Sequence, residues 1–118
     1  MTMTKKESRI AAQKLIAALK SDLSYMVEGS SPVVKEAFNI LVEGQQLGLE
    51  KILWALSQGE PDSLDKEQLR REYYYATEAR ISTLWSESAS PCTHSEFQDT
   101  VEALRTFIHR TVTRPRPR

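Results

Sequence analysis

The chain has 118 residues, with 16 Lys+Arg balanced by 16 Asp+Glu, 40% apolar side chains and 27% charged ones. That composition suits one soluble domain burying roughly two-thirds of its unfolded surface. It excludes wholesale disorder, a uniformly basic nucleic-acid binder and a polyanion mimic, and the lone Cys92 excludes an internal disulfide scaffold.

Near the N-terminus, Thr4 and Glu7 stand at capping-box spacing. Ala12, Leu15, Ile16, Leu19, Leu23 and Met26 then recur at helical intervals until Gly29, predicting a first helix over about 5–28. Ser31-Pro32 opens the second, because proline is tolerated in a first turn where the N–H has no partner anyway. Gly59 and Pro61 close it, giving a helix over 32–57. Asp62 or Ser63 serves as the cap of a third helix over 63–87, broken by Ser88-Ala89-Ser90-Pro91. Thr93 and Glu96 repeat the capping-box pattern before a fourth helix over 94–112, where Phe97, Val101, Leu104 and Ile108 step by helical intervals. Arg114-Pro115-Arg116-Pro117-Arg118 forms a tail that cannot extend the helix. The expected fold is all-α: a four-helix antiparallel bundle over 1–113, with a 114–118 tail.

The second helix carries two apolar stripes. On an unbroken wheel, Val34, Phe38, Leu41, Leu49, Ile52 and Leu56 form one, facing the core. Val33, Ala37, Ile40, Gly44, Leu47 and Trp54 form the other. This seam has small residues in its middle and needs either a cover inside the chain or a partner, a second copy first of all. Gln45 falls in the core stripe and requires a buried hydrogen-bond partner there.

Arg70-Arg71-Glu72-Tyr73-Tyr74-Tyr75 marks the third helix. Successive residues diverge by about 100°, so the tyrosines cannot share a face. Tyr73 belongs with Leu69, Ile81 and Leu84 on the core side, and Tyr75 points outward. Arg80 falls near the apolar centre and needs a partner. Tyr, Trp and Arg dominate interface hot spots, so Arg71 and Tyr75 join Val33, Ile40, Gly44, Leu47 and Trp54 as candidate partner-binding residues.

Net charge is unevenly spread: +1 over residues 1–59, −3 over 60–90 and +2 over 91–118. At the basic end, Arg110, Arg114, Arg116 and Arg118 are candidate anion-binding residues, although cations there also complement a helix dipole. Cys92 and His94 resemble half a metal site, but His109 is the one other histidine, and neither histidine follows a glutamate at Glu-x-x-His spacing. Phosphate-loop, nucleophile-elbow and dinucleotide signatures are missing from the sequence. No catalytic residue, cofactor or metal is therefore expected. The start of the chain lacks the apolar core of a secretory signal. The longest apolar run, Ile52–Leu56, is far below the ~20 residues of a membrane span. The expectation is a small cytoplasmic helical protein acting by protein–protein contact, of the adaptor, chaperone, inhibitor or anti-factor type and homodimeric. A nucleic-acid-associated regulator using the basic end is the alternative.

Overall fold

A computed structural model describes residues 2–88 and 93–113. All regular structure among them is helical: α1 (Lys5–Leu23), α2 (Pro32–Glu43), α3 (Gln46–Ser57), α4 (Lys66–Glu87) and α5 (His94–Thr113). Short 3₁₀ turns follow α1 at Ser24–Val27 and precede α4 at Pro61–Ser63. Cys92, most of the 88–91 breaker and the tail at 114–118 lie outside the described residues.

The helix starts follow local chemistry. Thr4 Oγ1 accepts from the Glu7 N–H at 3.1 Å, and the Glu7 carboxylate accepts from the Thr4 N–H at 3.0 Å, completing the capping box. Pro32 occupies the first turn of α2. At α5, Thr93 Oγ1 accepts from the Glu96 N–H at 3.1 Å. Helix α4 starts later than expected. Asp65, not Asp62 or Ser63, caps it by accepting from the Glu67 and Gln68 N–H groups. Helix α1 ends earlier, at Leu23, because the chain tightens into a 3₁₀ turn before Gly29 reverses it at φ 80°.

The expected second helix is broken in two. Gly44 N–H still reaches the Ile40 carbonyl at 2.9 Å, but Gln45 N–H turns back to Val42 at 3.1 Å, a 3₁₀ step. Gly44 and Gln45 both keep right-handed dihedrals, so the rod tightens and redirects without reversing. The halves acquire different neighbours. Helix α2 packs against α4 and α5, while α3 packs mainly along α1.

Cross-contacts fix the directions. Met3 meets Ser57 and Gln58, Arg9 pairs with Glu50 at 3.6 Å, and Lys20 pairs with Glu43 at 2.6 Å, so α1 runs opposite to α3 and α2. Lys51–Glu72 (2.7 Å) and Arg80–Glu43 (3.2 Å) set the same opposition for α4. Trp85 stacks on Phe97 at 4.7 Å, and Arg105 spans from α5 to Glu78 of α4 at 3.1 Å. One apolar cluster joins Ala12 and Ile16 of α1, most of α2, Leu49, Tyr73 and Ile81, and the Phe97–Val101–Leu104–Ile108 face of α5.

Both stripes of α2 are consequently interior. Val33, Ala37 and Ile40 are buried as deeply as Phe38 and Leu41. The seam expected to receive a partner is covered by this chain's own helices over that half. Leu56, assigned to the core stripe, is instead 55% exposed. Each 3₁₀ step turns about 120° against about 100° for an α step, so a wheel carried through the break misplaces the residues beyond it. Arg80 lies on the surface, with Glu43 as its partner.

Gly44 sits where α4 crosses the rod. A Cβ built there would overlap Thr77 Cγ2 and lie 3.2 Å from Tyr73 Cε1. Thr77 is fully buried and cannot swing away. Overpacking of this kind costs about 1–3 kcal/mol, more than the helix-propensity gain of up to about 1 kcal/mol that alanine brings. We expect Gly44→Ala to lower the unfolding free energy measured in urea, and Thr77→Ser in the same chain to recover at least half of the loss. Undiminished stability of Gly44→Ala would contradict this crossing.

Candidate binding surface at the broken helix

The break creates a polar cluster on its inner side. With the Gln45 N–H taken by Val42, the Leu41 carbonyl loses its ordinary helical donor, and the Tyr73 hydroxyl donates to it at 2.8 Å. Gln45 itself is 2% exposed. Its amide Nε2 lies 3.3 Å from His109 Nδ1, supplying the buried partner that its position demanded. An amide nitrogen can only donate, so Nδ1 accepts and the neutral ring carries its proton on Nε2. His109 stacks on Tyr73 with centroids 5.5 Å apart and the rings nearly parallel. Burial pushes the Tyr73 phenol above its usual range, partly offset by a hydrogen bond with Gln45. Burial also holds the His109 imidazole below its ordinary value, and the nearby Arg70 charge adds to this. Phenol, amide and imidazole thus tie α4, the break and α5 together in their uncharged forms.

On the outer side, Leu47 is 56% exposed and forms a ridge between two hollows. The smaller, of about 30 Å³, penetrates to Gly44, Tyr73 and His109, and is too narrow for more than a water molecule or so. The larger is a groove of about 400 Å³. Its walls are Lys5, Ser8 and Arg9 of α1 and Leu47, Glu50, Lys51, Trp54 and Ala55 of α3, closed at one end by Ser63 and Leu64. Trp54 is half-buried, with the Lys5 ammonium 5.8 Å from its ring centroid.

Of the sequence-derived partner-binding residues, Leu47 and Trp54 therefore come together on one surface. Val33 and Ile40 are interior, and Gly44 is closed off by Thr77 and Tyr73. Arg71 and Tyr75 are exposed on α4 but do not line the groove, and Tyr75 rests edge-on against Tyr74 at 6.1 Å. Arg110 is exposed beside Asp99 and Glu102 in a shallow depression, where those carboxylates oppose an anion. Arg114, Arg116 and Arg118 lie outside the described residues. His94 leans over Trp85 at 5.2 Å. Among the described residues, no three His, Cys, Asp or Glu side chains converge as a metal-holding group, and no helix is long and apolar enough to cross a membrane.

Sequence reasoning missed the other eight lining residues, Lys5, Ser8 and Arg9 of α1 among them, because an amphipathic pattern shows which face of α1 is buried but not which helix it meets. Comparisons with protein-family models, curated proteins and solved structures find no match for this chain.

The lowered His109 pKa has a definite sign in stability. An unfolded histidine takes up its proton as pH falls below about 6.5, whereas the folded ring resists, so protons favour the unfolded chain. His109's contribution is intact above that value and is lost as pH falls toward its folded pKa. We expect the urea midpoint to drop between pH 7.5 and 5.5, and His109→Phe, which keeps the stacked ring, to flatten that dependence. Equal slopes in the two proteins would show that His109 does not titrate on unfolding.

Proposed function

We propose that this chain is a non-enzymatic helical protein that works by binding another protein, of the adaptor, chaperone, inhibitor or anti-factor type, in the cytoplasm. The helices act as an antiparallel bundle-like scaffold for one binding face. The observation that carries this reading is the exposure of Leu47 beside Trp54 in an apolar groove open to solvent. A large apolar side chain on the rim of such a hollow is a liability unless something covers it.

A homodimer through the full apolar seam is closed off. The long seam through Val33, Ile40, Gly44, Leu47 and Trp54 would require residues that are interior.

Photo-crosslinking inside the source cells tests the reading. A benzoylphenylalanine placed at Leu47 should give discrete protein adducts, whereas the same group at exposed Glu36 of α2 should not. Placing it at Tyr75 asks whether α4 takes part as well. Labelling at Leu47 no stronger than at Glu36 would remove the groove from consideration.

A further inference from the structure

We propose that the groove between α1 and α3 receives a single amphipathic helix of another protein, acidic along its flanks. This deepens the protein-binding reading above and rests on it.

Size argues for one helix. Ten residues line the groove, whereas a standard interface between two folded proteins uses roughly 20–30 on each side. Two oppositely running helices form its long walls and Leu64 closes one end. A third helix laid between them continues the packing already in use, with leucine-sized anchors at i, i+3 or i+4 and i+7 set against Leu47, Trp54 and Ala55.

Charge selects the flanks. Three of the four charged residues lining the groove are cationic: Lys5 and Arg9 one turn apart on the α1 edge, and Lys51 on the α3 edge. Arg9 and Glu50 engage each other and Lys51 engages Glu72, so the unbalanced charge at the rim is that of Lys5, on the α1 edge. Glutamates on an incoming helix meet that edge favourably, while lysines are repelled. Such rim charges govern orientation and encounter rate more than final affinity.

A second copy does not supply this helix. Helix α4 carries four acidic and four basic side chains, α2 and α5 are each only one charge negative, and the apolar sides of all three are already buried in their own fold.

The test uses the full chain and three fluorescein-labelled synthetic helical peptides of about five turns. All carry the same leucine spacing, and they are flanked by glutamate, glutamine or lysine respectively. Anisotropy should show saturable binding of the glutamate peptide and at least tenfold weaker binding of the lysine peptide. Lys5→Glu combined with Arg9→Glu, and separately Leu47→Glu, should each weaken the glutamate peptide at least tenfold while helical circular dichroism is retained. If Leu47→Glu perturbs the fold, Leu47→Ala replaces it, with a threefold or greater loss expected.

Equal binding of all three peptides overturns the acidic assignment and leaves the protein-binding reading standing. Binding indifferent to the groove variants overturns the site, as does no binding at all. A concentration-dependent dimer in light scattering that Leu47→Glu abolishes puts a second copy in the groove and also overturns the proposal. The protein-binding reading itself stands or falls on the crosslinking at Leu47.

Discussion

At the crossing of α4 over the second rod there is no room for a side chain. Gly44 is bare against Thr77 and Tyr73, and the surrounding polar chemistry follows from that contact. A glycine inside a helix weakens it by about 1 kcal/mol relative to alanine, and here the rod gives way at that residue. The 3₁₀ step strands the Leu41 carbonyl and turns the Gln45 amide inward. Tyr73, placed by the same crossing, reaches the carbonyl; His109 of α5 reaches the amide and stacks on Tyr73. The helices that close over the break thus bring partners for the Leu41 carbonyl and the Gln45 amide.

The break also divides the packing. Helix α2 lies among α4 and α5, apolar on nearly all sides because it is covered on nearly all sides. Helix α3 has α1 along one side and little else, so two of its leucines reach solvent. Glu43, at the end of α2, holds the two regions together. It binds Lys20 of α1 and Arg80 of α4, and the hydrogen bond from Lys20, with Arg80 adding to it, keeps the carboxyl below its usual range. Such partly exposed ion pairs contribute little energy each, and their value here is alignment.

The all-helical class, most caps and the α5 core could be read from the sequence, since Thr4/Glu7, Pro32 and the Phe97–Ile108 spacing are local signals that tertiary structure did not override. Tyr73 inside, Tyr75 outside and a buried partner for Gln45 were likewise legible, because wheel position is a local property. The break was not. Gly44 and Gly48 mark a weak point without saying whether it yields, and that depends on Thr77, thirty-three residues away in a helix that must first dock. Most of the candidate site suffered the same fate: Leu47 and Trp54 were found because they are apolar surplus, whereas Lys5 and Arg9 are ordinary surface cations until α1 is laid beside α3. The surplus stripe overstated the surface, because periodicity reports that a face is apolar and is silent about what covers it.

The groove draws one wall from α1 and the other from α3. Helix α1 makes few contacts elsewhere, apart from those with α2 and the turn that follows it. Segments held on one side open more readily than segments held all round. An occupant touching both walls binds only the closed arrangement, so its free energy of binding adds to whatever keeps α1 in place. Occupancy of the groove and attachment of the N-terminal helix are thereby two readings of one equilibrium: whatever loosens α1 weakens the grip on the occupant, and the occupant tightens α1 by the same amount.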